Sequence, residues 1–427
     1  MRIFKWLVSI FVFYGIGMYL YLFHFADTSI PEHLRWSSVD PSTFMNSRQL
    51  VLSEDFSNIK NLLFFLSIPF EWIVLFLLLI TGISRKFDEW ASVISKYRPI
   101  HTAVFVFYLS LFMSTVSFPL DWISYYISKT YGISVQPFNS WMKDLMIGFW
   151  TDYLITFVIV LVMYWLMNRN QKKWWLHAWL LSIPFTLFLS FIQPVIIDPL
   201  YNKFTPLENK QLENKILALA KESNIPTDRV YQVNMSEKTK SMNAYVTGIG
   251  SNARIVLWDT TLNKLGEKEI LFIMAHEMAH YVKKHIYIGL AISLSLSFIG
   301  LYIAKVFLGF LTRKWGSRLQ IYDSRRLASL PLLLLLFSIM SFAITPFTNA
   351  YSRYQETVCD TYAVEITKNS EAGVNTFQEL ARNSLAQVNP PLLVKIFRYG
   401  HPTMLERITT LDVELTKRNK LQEQIND

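Results

Sequence analysis

His276-Glu277-Met278-Ala279-His280 is an HExxH sequence, set in a stretch whose apolar residues Ile270, Ile273 and Met274 recur at helical spacing. The i, i+4 separation puts both imidazoles on one helix face, one turn apart, where they can share a single Zn²⁺. Glu277 lies beside that face, within reach of a water on the metal as general base. With 8 His and 18 Glu among 427 residues, chance supplies such a match in roughly 0.6% of chains of this composition. The chemistry that fits is metal-assisted hydrolysis.

A catalytic zinc needs a third protein ligand and an open position for water. Two apolar runs, Ile286–Leu311 and Leu330–Ala350, follow His280. If both cross a membrane, the chain returns to the side it left, and the tail can meet the HExxH helix. Glu356 is the first acid of that tail, with Asp360 one turn later, where it could orient a ligating imidazole. Glu365 and Glu371 are also within the tail.

Composition says what must carry these residues. The chain is 52% hydrophobic, 15% aromatic and only 17% charged, against about 25% charged in a soluble domain. It therefore reads as a membrane protein. Seven stretches are long and apolar enough to cross a bilayer: Trp6–Phe23, Leu62–Ile83, His101–Leu120, Phe149–Met167, Trp174–Ile197, Ile286–Leu311 and Leu330–Ala350. The first is read as an uncleaved anchor. Glu71 lies in the middle of its span and is expected to face the bundle interior. The net charge of +9 fits Lys and Arg flanking the spans, not a nucleic-acid surface, and the single cysteine, Cys359, excludes an intrachain disulfide framework. Short loops rich in Lys and Arg put the N-terminus inside and the HExxH region outside by the positive-inside rule.

The expected organisation has four parts: residues 1–200 with five membrane helices, 201–285 as a mixed region ending in the HExxH helix, 286–350 with helices six and seven, and 351–427 as a mainly helical tail. Within 201–285, Asn209–Ser223 has helical spacing, whereas Val230–Val233, Ala244–Thr247 and Ile255–Trp258 read as strands of a small sheet. The fold class is mainly α, with a small α+β part.

Taken in order, HExxH, two spans and Ser352-Arg353-Tyr354-Gln355-Glu356-Thr357-Val358-Cys359-Asp360 resemble the type I CAAX prenyl proteases, integral-membrane zinc metalloendopeptidases with a pattern close to SRxxExxAD. Asp198-Pro199-Leu200-Tyr201-Asn202-Lys203-Phe204-Thr205-Pro206-Leu207, Asn243-Ala244-Tyr245, Arg254-Ile255-Val256-Leu257-Trp258-Asp259-Thr260 and His401-Pro402 with Arg407 extend the match. Cys359 stands where the family usually has Ala, and Lys240-Ser241-Met242 lacks a His that eukaryotic members carry.

The resemblance implies one Zn²⁺ per chain on His276, His280 and Glu356, with Asp360 supporting the ligands. It implies Glu277 as catalytic base, and His401 and Arg407 as residues that hold the substrate and stabilise the oxyanion. Asn243, Ala244 and Tyr245 would pair with an extended substrate backbone. It further implies a chamber enclosed by the seven helices and capped by a gluzincin-like domain, with a catalytic side that faces the cytosol in eukaryotic members. The expected partners are the lipid bilayer and a peptide or membrane-protein substrate, prenylated at its C-terminus in the family's own reaction. A bacterial source and plasma membrane are expected from the short loops. The competing expectations are a general protease of membrane proteins without prenyl specificity and, from another class, a transporter or structural membrane protein that would need no metal.

Overall fold

The structure, a computed structural model, describes residues 2–227, 229–248 and 254–414. Residues 415–427 of the expected tail lie outside them. Seven helices are long and apolar enough to cross a membrane: α1 (Arg2–Leu20), α2 (Ser47–Ile80), α4 (Arg98–Thr130), α5 (Phe138–Arg169), α6 (Trp174–Ile192), α11 (His285–Trp315) and α12 (Leu330–Thr367). All seven expected spans are present. Their outer surfaces carry exposed Trp6, Phe13, Leu154, Phe188 and Ile299, the apolar exterior that lipid, not water, would solvate. Glu71, one turn before the buried Leu75 on α2, is itself exposed.

The helices outrun the membrane in both directions. α12 has 38 residues, roughly 57 Å at 1.5 Å per residue and nearly twice the hydrocarbon thickness. The tail expected after Ala350 is therefore the same helix, carried out of the bilayer as one rigid piece. A short amphipathic helix, α3 (Ile83–Ile94), lies between α2 and α4; the sequence reading merged its start with the preceding span.

Outside the membrane, the polar part is built on a sheet of four strands: β1 (Phe204–Pro206), β2 (Val230–Val233), β3 (Ala244–Thr247) and β4 (Arg254–Trp258), in the order β1-β2-β4-β3. β2 and β4 are parallel; β1 and β3 are antiparallel to their neighbours. β1 escaped the sequence reading because it is only three residues long and ends in proline. β3 is an edge strand with Ala244 opposite Leu257.

α7 (Asp198–Tyr201) leads into the sheet, and α8 (Lys210–Glu222) packs on it, started by Asn209, whose side chain accepts from the Leu212 N–H. α9 (Asp259–Lys264) follows β4, and α10 (Glu267–Val282) runs through the middle of the domain. One side of α10 buries Ile270, Met274 and Met278 with Ile216, Ile255 and Leu257. Its other side buries Phe272 and Ala275 with Ala363 and Val364 of α12 and Phe377 of α13 (Ser370–Ser384). A Cβ on Gly373 would stand 2.6 Å from both the Phe272 ring and Leu411, so only glycine allows this approach. α14 (Leu392–Phe397) follows a break at residues 385–391, which includes the expected Asn389–Pro391 interruption.

Candidate active site

α10 and α12 cross at the HExxH turn. Burial of both sides of α10 leaves a narrow strip for His276, Glu277 and His280, and that strip meets Glu356 and Asp360 on α12. His276 Nε2 stands 3.1 Å from Glu356 Oε2, and His280 Nε2 3.4 Å from Glu356 Oε1. One ligand atom from each of the three residues lies within 4.8 Å of the others. The alternative tail acids, Glu365 and Glu371, are not in this cluster.

Two observations fit a cation at this point. Glu356 Oε2 is buried and has no properly directed hydrogen bond despite its proximity to His276, and a buried carboxylate oxygen without a partner is costly. The other ring nitrogen of His276, Nδ1, is 2.8 Å from Asp360 Oδ1, which fixes the tautomer that leaves Nε2 free as a ligand. Burial works to lower the His276 pKa, but the adjacent Asp360 and Glu356 carboxylates outweigh it and raise the pKa to about 9.

Asp360 is held in turn. Arg407 donates through Nη2 to Oδ1 at 2.6 Å and through Nε to Oδ2 at 2.9 Å, the two-pronged geometry a guanidinium favours. The guanidinium is buried 3.9 Å from the centre of the Phe377 ring. Arg407 lies in a helical segment, residues 404–414, opened by a capping box: Thr403 accepts from the Glu406 N–H, and Glu406 accepts from the Thr403 N–H. His401 precedes it, its side chain 66% exposed and its Nε2 3.5 Å from Glu356 Oε1. Arg353 of α12 fastens that loop by donating to the Lys395 and Tyr399 carbonyls.

A cavity of about 380 Å³ opens onto the cluster, lined among others by Asn243, Ala244, Glu277, His401 and Arg407. Burial pushes the Glu277 carboxyl above the usual carboxylate range, against the pull of His276 and His280. On the cavity wall, the Asn243 carbonyl faces β4, where it accepts from Trp258, so strand alternation turns the Ala244 backbone outward. The Ala244 N–H is bonded only to the side chain of Asn243, at 2.9 Å. Tyr245 belongs to the same edge strand.

His276, Glu277, His280, Glu356, Asp360, His401 and Arg407 therefore come together, with Asn243 and Ala244 on the cavity wall. The sequence reading missed His285, at the start of α11, whose Nδ1 is 3.1 Å from His280 Nδ1 and 3.6 Å from Cys359 Sγ. Its signal was only a third histidine five residues beyond HExxH; the left-handed turn at Lys284 that brings it back has no sequence signature.

Two family models match the chain in succession: "CAAX prenyl protease N-terminal, five membrane helices" over residues 6–203 and peptidase family M48 over residues 206–415. An uncharacterised metalloprotease of Bacillus subtilis, YhfN, is 54% identical over 413 residues, 96% of this chain and 97% of that protein. A CAAX prenyl protease 1 homologue of Dictyostelium discoideum is 30% identical over 313 residues, 68% of each chain. The crystal structure of S. mikatae Ste24p has the same fold, with a TM-score of 0.78 at 22% identity over 95% of this chain and 97% of that one. The protein is a multi-pass bacterial membrane protein. It is a metallopeptidase, and the chain belongs to peptidase family M48.

Proposed function

We propose that the chain is a zinc endopeptidase that cleaves an extended peptide bound along β3, with CAAX-type prenylated C-termini as its preferred substrates. The observation that carries the reading is the Glu356 carboxylate set between two imidazoles, its Oε2 buried without a hydrogen bond, beside a cavity whose wall is an open strand edge. His276, His280 and Glu356 would hold the ion, an N₂O donor set that suits zinc. Zinc, when bound, supplies the Lewis acidity that makes water a nucleophile near neutral pH.

The residues of the chain do the rest. The substrate backbone adds to β3 by replacing the Asn243 side chain at the Ala244 N–H, which lays the scissile carbonyl along the cavity floor. Glu277 accepts a proton from the attacking water and passes it to the leaving amine; burial raises its pKa, which favours the return of that proton. His401, exposed at the cavity mouth, donates to the carbonyl oxygen as negative charge develops there. Two of the Arg407 donors, Nε and Nη2, hold Asp360 against His276, and the residue also lines the cavity, where it can help hold the substrate.

The competing reading is a protease of membrane proteins in general, favoured by Lys240-Ser241-Met242 where eukaryotic relatives carry a His. One experiment separates the two. Metal content is measured on detergent-purified protein alongside cleavage of a farnesylated CAAX peptide and its unprenylated twin. One zinc per chain with cleavage of the prenylated peptide alone is the expected result; equal cleavage of both peptides would discard prenyl specificity and keep the protease. In Glu277→Gln, zinc should remain while turnover falls about 10²–10⁴-fold. Substantial residual cleavage would remove Glu277 from the role of base.

A further inference from the structure

A second cavity, of about 730 Å³, lies at the opposite end of the bundle. α12 enters the polar domain by its C-terminus, so its N-terminus, together with the starts of α4 and the ends of α3 and α5, marks the other membrane surface. The cavity sits among these ends. Its rim is basic: Lys96, Arg98, Arg325 and Arg326 line it, against Asp88 as the one acid. Its floor is apolar and aromatic, with Leu161, Val162 and Trp165 of α5.

The charges in this rim are not all spoken for. Arg325 is paired with Asp323 at 2.9 Å. Arg326 and His101 share Asp88, at 3.3 and 2.9 Å. Lys96 and Arg98 have no carboxylate within ion-pair distance among the described residues. Two exposed, uncompensated cations therefore stand over an apolar groove that runs along a membrane helix. The walls are firm: Tyr164 is bonded to Ser329 at 2.8 Å, and Ser84 to the Ala328 carbonyl at 2.9 Å, all of them buried.

We propose that this cavity is a binding site for an anionic phospholipid of the surrounding bilayer, its phosphate on Lys96 and Arg98 and an acyl chain along Leu161, Val162 and Trp165. Charge complementarity selects the anionic headgroup, since each basic residue near the surface favours such a lipid about fivefold. The apolar floor selects a lipid over a free anion, which would have nothing to place there. The bilayer supplies this ligand to a cavity at its own surface.

The test uses the full chain reconstituted in nanodiscs containing equal amounts of phosphatidylglycerol and phosphatidylcholine, with bound lipid counted by native mass spectrometry. Wild type is expected to retain phosphatidylglycerol selectively. The Lys96→Gln/Arg98→Gln double variant, altered only at exposed side chains, should hold it about 30-fold more weakly. Val162→Trp fills the groove and keeps both cations, and it should lose the lipid as well. Excess inorganic phosphate should not displace it. Equal retention of the two lipids, unchanged retention in the double variant, or displacement by phosphate alone would each overturn the proposal.

Discussion

Asp360 with His276 and Arg407, and Asp88 with His101 and Arg326, are the same three side-chain types, each aspartate within ion-pair distance of a histidine and an arginine, at opposite ends of one molecule. Both aspartates are about 2% exposed. The difference lies in what surrounds them. At the membrane end, His101 turns its Nε2 to Asp88, and Arg326 leaves 63% of its side chain in solvent, so the cluster is closed on itself and screened. At the other end, Arg407 is buried against Phe377, and His276 has its second nitrogen aimed at a carboxylate oxygen that makes no hydrogen bond. In the proposed reading, burial that removes water and a fourth residue, Glu356, with an oxygen left to be filled are what suit an Asp–His–Arg triplet to support a metal centre. The residue types alone do not decide it.

Removing that fourth residue breaks the contrast most completely. Glu356→Ala turns the active cluster into a closed triplet like the one at Asp88. Metal content by atomic absorption is expected to fall from one per chain to near zero, and cleavage to drop at least about 10³-fold, the scale of a lost Lewis acid. Retention of stoichiometric metal would mean that Glu365 or Glu371 supplies the third ligand.

Asp360→Asn comes next. The amide can still accept from Arg407 but no longer carries the charge that faces a buried guanidinium. Metal affinity, read by competition with a chelator, is expected to fall about 10–100-fold. The metal-free protein should also lose roughly 3–5 kcal/mol in denaturant titration, because Arg407 would be a buried cation without its counter-ion. Loss of metal affinity with unchanged stability would place the Arg407 charge nearer to Glu356, 3.9 Å away, than to Asp360.

What the sequence revealed tracks how local each interaction is. The HExxH pair and the strands Val230–Val233 and Ala244–Thr247 are set by spacing within a few residues, and their bounds could be read directly. The Glu356–His276 meeting spans 80 positions: counting two membrane crossings brought the tail to the HExxH helix but left Glu365 and Glu371 as alternatives, and the family resemblance chose Glu356. Its cause, a helix that continues unbroken from Leu330 to Thr367, was hidden because the apolar run stops at Ala350 while the helix does not. Arg407 was singled out but its partner was not: nothing near it in the chain says that its fork will close on Asp360, 47 residues away. β1 and α3 were invisible for a simpler reason, being too short or too close to a stronger apolar signal.

His285 is a smaller test of the same idea. If His280 ligates through Nε2, its Nδ1–H must find an acceptor, and His285 Nδ1 at 3.1 Å is in place to serve. His285→Ala should weaken metal binding about tenfold, at the lower end of what such supporting contacts contribute. His285→Gln, which retains an acceptor, should recover much of it. Equal losses in both variants would make His285 a packing residue at the start of α11.

The smallest effect is expected where the comparison began, at Asp88. Asp88→Asn removes the charge from a triplet whose arginine is mostly solvated, and exposed ion pairs contribute little. The cost is what the ion pairs with His101 and Arg326 are worth, about 1 kcal/mol in denaturant titration, with metal content and chelator competition unchanged. The same substitution at Asp360 should disturb both. A shift in metal affinity from Asp88→Asn would show that the two ends of the bundle are coupled through α12, the helix that connects them, and the two triplets could then no longer be treated as independent.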